Sequence, residues 1–398
     1  MHGNIRIIHP GDGDWRRELV RIGADPYAVD VFEEKREKLL IKVSDIRIEA
    51  ANILKQDALS VGCDVAVPRS AISGTPERCS VIIIADRRRL KALEEKMKNQ
   101  PFSIASLPAG IDALLAPRRG LFCAGKKSLA MDHTLIMGIL NVTPDSFYDG
   151  GKYVSEDAIA ARAKRMIEEG ADIIDIGGET TRPGSGRIGL EEELKRIIPA
   201  LEAVRKVSAD ITISVDTYKS RVAAAALDNG ADIINDVSGA MLDPDMPGVV
   251  AAKKGGYVIM HMKGTPEDMQ ADPFYEDVSG EVYSFLMERA RTAEEAGISP
   301  ESIMVDPGIG FGKRLEDNLE LIRRLKELAA AGYPVLVGLS MKSFLGTLSG
   351  RDTAERLNAT TAAHALAIAN GASALRVHDV AAALDAVKTV EGIIHGKV

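Results

Sequence analysis

Aromatic residues are scarce in this chain. They make up 4% of its 398 residues, with Trp15 the single tryptophan, so the core has to be built from Ala, Val, Ile and Leu. Side chains of that kind suit helices packed on a buried parallel sheet. Cysteine is scarcer still. Cys63, Cys79 and Cys123 share no paired spacing and all precede residue 130, which excludes a disulfide framework or a zinc site and points to a reducing, cytoplasmic setting. No apolar run approaches the ~18 residues of a membrane span. The N-terminus lacks a signal-peptide pattern, so no membrane partner is expected. Positive charge is not in excess either. A net charge of -8 and a pI near 5.6 argue against nucleic-acid binding, while leaving room for a local cationic pocket.

What is present suffices for one domain of about 250 residues and a smaller one. Residues 1–128 read as a small α/β domain to which no role is assigned. It holds strands at Ile5–Ile8, Lys38–Val43 and Ser80–Ala85, and helices at Ile48–Leu59 and Arg87–Lys98. A stretch rich in Gly, Pro and charge, Ala116–Lys127, reads as its closing linker.

Residues 129–398 are organised around Met137–Gly151 (MGILNVTPDSFYDGG), where an apolar run meets Asn141, Thr143, Asp145 and Asp149. A buried parallel strand reads as such a run, and its carboxyl end is where α/β proteins place their chemistry. Further runs follow at Ile173–Ile176 before GGETTRPGSG, Thr212–Val215 before Asp216, Asp232–Ile234 before Asn235 and Tyr257–Met260 before His261. The last three are Ser302–Val305 before Asp306, Val335–Leu339 before Ser340 and Lys342, and Ala374–Val377 before His378. Helical stretches separate them, and Gly170, Gly230 and Gly371 each close a helix ahead of a strand. Eight strand-helix units in about 265 residues predict a (β/α)8 TIM barrel, with a doubly wound sheet as the competing architecture. In a barrel all the polar tips meet at one rim.

That rim gathers Asp216, Asn235, Asp306 and Lys342, whose donors and acceptors match the alternating edge of a flat nitrogen heterocycle. Arg182, Arg376 and His378 suit a phosphate or diphosphate, with Asn141 as an amide donor or metal ligand. Arg376 lies on the same side of its strand as His378 and needs either an anion or a buried partner. Asp145 and Asp149, in a Gly-bounded loop, are placed to share a magnesium ion with that diphosphate. The run Asp306–Lys313 (DPGIGFGK) lacks P-loop spacing, because Arg314 follows Lys313. Its glycines read as letting the backbone approach a ligand, with Phe311 as an apolar wall.

In order along residues 133–395, MGILNVTPDSF, DIGGETTRPG, ISVDTYK, IINDVSG, MHMKGTP, DPGIGFGK, GLSMKSFLG and ALRVHDV resemble the dihydropteroate synthases. These folate-pathway transferases, targets of sulfonamides, join a pterin diphosphate to 4-aminobenzoate. The resemblance implies that Asp216, Asn235, Asp306 and Lys342 bind the pterin ring, with Met260 lining its pocket. Arg376, His378 and Asn141 would hold the diphosphate, with magnesium at Asn141. The loop carrying Asp145, Phe147 and Asp149 and the loop carrying Thr181, Arg182 and Pro183 would close over the site and shape the aminobenzoate pocket with Phe311. Ser343 would face the benzoate carboxylate. Arg182, Asp145, Asp149 and Lys342 are the catalytic candidates.

The resemblance further implies a homodimer through late barrel helices, with Ala359–Ala369 as the candidate surface. Met341 departs from the pattern, standing where many members carry Arg; Thr180 and Tyr218 are milder departures. The competing readings are a corrinoid-linked methyltransferase, a synthase using a ribosylated aminobenzene phosphate, and a non-catalytic pterin-binding module.

Overall fold

The computed structural model describes residues 14–25, 29, 32, 34–72, 74–75, 77–116, 120–143, 155–179, 187–265, 269 and 273–395. The chain divides into two compact units, Met1–Ala116 and Pro117–Val398. The strand expected at Ile5–Ile8 lies outside the described residues. Among those described, no helix is long and apolar enough to cross a membrane.

The first unit begins with helix α1 (Asp14–Arg21), then β1 (Lys38–Arg47), α2 (Ile48–Ser60), β2 (Asp64–Ala66), β3 (Arg78–Asp86), α3 (Arg87–Met97) and α4 (Leu107–Leu115). Its sheet is antiparallel, in the order β1-β3-β2. Val81, Ile83 and Ala85 alternate along β3 and bury one face against Ala50, Leu54 and Ala58 of α2 and Leu90, Leu93 and Met97 of α3. Asp86 caps α3 by accepting the Arg89 N–H at 2.9 Å.

The second unit opens earlier than the sequence suggests. Residues expected to close a linker form a hairpin, β4 (Leu121–Ala124) and β5 (Lys127–Ala130). The boundary expected at 128 therefore falls at 116. The physical reason is Phe122, which is wholly buried and packs with Leu135, Ile173, Ile233, Val258, Met304 and Leu336, the bottom layer of the barrel interior. Lys127 fixes the hairpin by donating to Ile211 C=O at 2.6 Å and Asp232 Oδ2 at 3.1 Å.

The strands that follow are β6 (Leu135–Asn141), β7 (Ile173–Gly177), β8 (Thr212–Asp216), β9 (Ile233–Asp236), β10 (Gly256–Met260), β11 (Ile303–Asp306), β12 (Leu336–Val337) and β13 (Ala374–Val377). All pair in parallel in the order β11-β10-β9-β8-β7-β6-β13-β12, and a bridge from Val305 to Val335 joins the two ends. This is the closed (β/α)8 barrel; a doubly wound sheet has two open edges. The seventh strand is shorter than the expected Val335–Leu339, because Leu339 accepts the Lys342 N–H and the chain turns.

Helices α5 (Glu156–Glu168), α6 (Leu190–Val207), α7 (Ser220–Asp228), α8 (Met246–Lys253), α9 (Val278–Glu295), α10 (Leu315–Arg323), α11 (Leu325–Ala329), α12 (Ser343–Ser349), α13 (Leu357–Ala369) and α14 (Val380–His395) surround it. Strand residues alternate between the interior and a core shared with these helices. On β6, Leu135 and Met137 face in, while Ile136 and Leu140 join the helix-facing core. Gly170, Gly230 and Gly371 have φ of +98, +97 and +97, as helix-ending glycines should. In each case the next residue's N–H closes a 2.9 Å bond back to the last turn, as from Ala171 to Met166.

Candidate active site

Strand register sets Asn141, Gly177, Asp216 and Asn235 at one level on four adjacent strands. Met260 and Asp306 pair likewise on β10 and β11. Arg376 starts lower, beside Met137, and its long side chain climbs to the rim. There Nε donates to Asp175 Oδ2 at 2.6 Å and Nη2 to Asp216 Oδ2 at 2.7 Å. The buried partner that Arg376 was expected to need is thus a carboxylate pair.

Asp175 is the site residue that sequence reading missed. It is fully buried and also accepts from Asn235 Nδ2 at 3.3 Å. A lone Asp in the apolar strand IIDIG was the available signal, since a buried charge is costly unless paired. Its Oδ1, and Ser214 Oγ beside it on β8, are buried without a protein partner among the described residues.

Burial pushes the Asp216 carboxyl up to about 7, against the pull of Arg376. It pushes Asp306 up to about 6, although Gly308 N–H donates to Asp306 Oδ1 at 2.7 Å. Burial also lowers Lys342 to about 8, and its ammonium lies 4.1 Å from the centre of the Phe311 ring. The site therefore holds groups poised to exchange protons or accept a donor-rich ring near neutral pH. Met260 adds an apolar wall with Tyr218, Val237 and Met262, against which Phe311 packs.

Two glycines of DPGIGFGK have a structural task of their own. A Cβ on Gly308 would stand 1.9 Å from His261 C=O, and one on Gly312 2.2 Å from Lys263 C=O. At these two positions glycine lets one barrel loop cross another, while a Cβ on Gly310 would meet the Lys342 side chain at 3.3 Å. Lys313 turns inward, buried, with its ammonium 2.9 Å from His261 Nδ1 and 3.0 Å from Phe311 C=O. It is no phosphate-binding lysine.

His378 is exposed at the rim, with its N–H 3.2 Å and its Nδ1 3.0 Å from the buried Ser340 Oγ. Ser343 is exposed at the start of α12. Asn141 sits at the end of β6, and Gly177 makes room for it: a Cβ there would stand 3.0 Å from Asn141 Oδ1. Tyr218, read as a departure, donates to Glu179 at 3.1 Å, and Lys219 ties Glu179 to Glu193 of α6. Asp145, Phe147, Asp149, Thr181, Arg182 and Pro183 lie outside the described residues.

The sequence pattern of the family described as pterin binding enzyme matches residues 137–378. The dihydropteroate synthase of Synechocystis sp. is 45% identical over 261 residues, which is 65% of this chain and 90% of that protein. A probable bifunctional folylpolyglutamate synthase/dihydropteroate synthase of Haloferax volcanii is 40% identical over 346 residues. That match covers 83% of this chain and so reaches ahead of the barrel, while this chain spans 40% of the length of that protein. A solved structure of Xanthomonas albilineans dihydropteroate synthase with 4-aminobenzoic acid is 44% identical, with a TM-score of 0.65, over 69% of this chain and 98% of that one. The chain belongs to the pterin binding enzyme family, among its dihydropteroate synthases, with an additional compact unit ahead of the barrel.

Proposed function

We propose that this chain condenses 6-hydroxymethyl-7,8-dihydropterin diphosphate with 4-aminobenzoate, releasing 7,8-dihydropteroate and diphosphate. One observation carries the reading: Asp216, Asn235 and Asp306 stand at the carboxyl ends of three barrel strands and Lys342 in the turn that follows a fourth, with Asp216 bonded to the Arg376 guanidinium. The carboxylates accept the ring's N–H groups, Asn235 serves both roles, and Lys342 donates to its carbonyl and ring nitrogen.

In the reaction the bond between the pterin methylene carbon and the diphosphate oxygen breaks, and the electron pair leaves with diphosphate. The amine nitrogen of 4-aminobenzoate then bonds to that carbon and loses a proton. Asp216 and Asp306 lie where positive charge spreads over the pterin, so their ionised forms stabilise it as it develops. Arg376 has Nε and Nη2 occupied by carboxylates, which leaves Nη1 for a diphosphate oxygen, with His378 and Asn141 beside it. We assign Ser343 and Phe311 to the aryl amine, and the family resemblance adds Phe147, Thr181, Arg182 and Pro183 to that pocket and Asp145 and Asp149 to the catalytic candidates. The protein supplies orientation and charge, not a nucleophile.

The donor set fits magnesium. Asn141 presents a hard carboxamide oxygen over Gly177, and magnesium takes few protein ligands, filling the rest with water and phosphate oxygens. When bound, the ion neutralises charge on the leaving diphosphate. The exposed Leu366 of α13 and Ile393 and Ile394 of α14 form the surface we assign to a homodimer, which sedimentation of the purified protein checks.

The deciding test is magnesium-dependent diphosphate release with and without 4-aminobenzoate. Release that needs the amine and yields dihydropteroate is expected, with a loss on the order of 100-fold in Arg376→Ala, because truncating one partner of a buried charge pair is costly. Tight pterin binding without turnover overturns the catalytic reading.

A further inference from the structure

Met341 occupies a backbone conformation that its side chain resists. Leu339 C=O accepts the Lys342 N–H at 3.3 Å, closing a four-residue turn, and Met341 at its third position has φ +58. Glycine or asparagine is the usual occupant of such a position. Both neighbours serve the site. Ser340 holds His378, and Lys342 stands over Phe311. Strain of this kind persists only where the surroundings over-determine it, and it concentrates at functional sites.

The surroundings here are the start of α13. Met341 N–H donates to Thr360 Oγ1 at 3.2 Å, and Met341 C=O accepts from Arg356 Nη1 at 3.2 Å. Thr360 is buried. Arg356 reaches the turn by crossing α12 at Gly346, where a Cβ would come within 2.5 Å of Nη2. Its Nε donates to Arg351 C=O at 3.3 Å, which fixes the guanidinium. Both backbone polar groups of one strained residue are thus bonded by side chains from another helix, and α12 carries a glycine where one of them passes.

We propose that Arg356 and Thr360 are positioning residues of the reaction, holding the Met341 turn so that Lys342 meets the pterin and Ser340 orients His378. The inference rests on the pterin reading of the site. A purely structural role for the pair predicts the same loss whatever residue stands at 341. A role exerted through the strained turn predicts that glycine at 341, which adopts positive φ without cost, relieves the loss.

The test measures binding of 6-hydroxymethyl-7,8-dihydropterin diphosphate with magnesium by calorimetry, alongside dihydropteroate formation. It uses the full chain as wild type, Arg356→Ala, Thr360→Val, Met341→Gly and the two double variants, each checked for native circular dichroism. Arg356→Ala and Thr360→Val are expected to weaken pterin binding about tenfold or more, and Met341→Gly to cut that factor to about threefold, a coupling readable as a double-mutant cycle. Wild-type affinity in both single variants, or an equal factor with Met and with Gly at 341, overturns the proposal. Thr360→Val keeps the side-chain volume and decides the matter if Arg356→Ala does not fold. A wild type that binds pterin without turnover defeats the synthase reading alone, since the cycle is scored on binding. A wild type that binds no pterin defeats both.

Discussion

Asp175 shows how much of the site hangs on one carboxylate that was not among the expected site residues. It holds Arg376 through Nε and Asn235 through Nδ2, so it links the groups assigned to the diphosphate and to the ring. Asp175→Asn keeps the shape and removes the charge. It is expected to cost on the order of 3 kcal/mol in pterin diphosphate binding or in stability, because it leaves a half-buried guanidinium underpaired; calorimetry and thermal melting of the variant check this. The titrating groups make a second prediction. Ring binding needs Asp306 and Asp216 ionised and Lys342 protonated. So kcat/KM for the pterin should rise through about 6 to 7 and fall above about 8. A flat profile over that range would sink the assignment. The stability effect has the opposite slope: both carboxyls bind protons more tightly folded than unfolded, so unfolding free energy falls as pH climbs from the ordinary 3.8 through about 7. At this scale the sequence showed residue types and strand-end positions, but pairing across the barrel joins residues as far apart as 175 and 376.

Among the elements, the hairpin of β4 and β5 was the least legible. The Gly, Pro and charge of Ala116–Lys127 give the segment the composition of a linker, and its meaning comes from Phe122 entering the barrel floor. Phe122→Ala is expected to destabilise the barrel by about 3–5 kcal/mol, as large-to-small changes in packed interiors do. A urea midpoint unchanged from wild type would show that the floor does not need this ring. The barrel strands and helices were legible because periodicity and helix-ending glycines are local signals: Gly170 is needed for its φ of +98 whatever surrounds it. The turn after β12 was not, since nothing in Ser340-Met341-Lys342 announces a positive φ at methionine.

For the whole molecule, the division at 116 has a direct consequence. A fragment starting at Pro117 keeps the hairpin and is expected to fold and to make dihydropteroate. One starting at residue 129 loses Phe122 and should melt at a lower temperature by an amount comparable to Phe122→Ala. Calorimetric melting of the two fragments tests both expectations, and equal stability would restore the boundary at 128. The sequence by itself determined the class of fold, the order of the strands and which polar residues end them, because apolar period, caps and turns are read from neighbours along the chain. Only the tertiary structure decided that Arg376 is shared between Asp175 and Asp216, that Lys313 points inward, and that Arg356 and Thr360 grip the Met341 turn. Those contacts depend on barrel closure, which brings distant strands within hydrogen-bond reach and leaves no trace in local spacing.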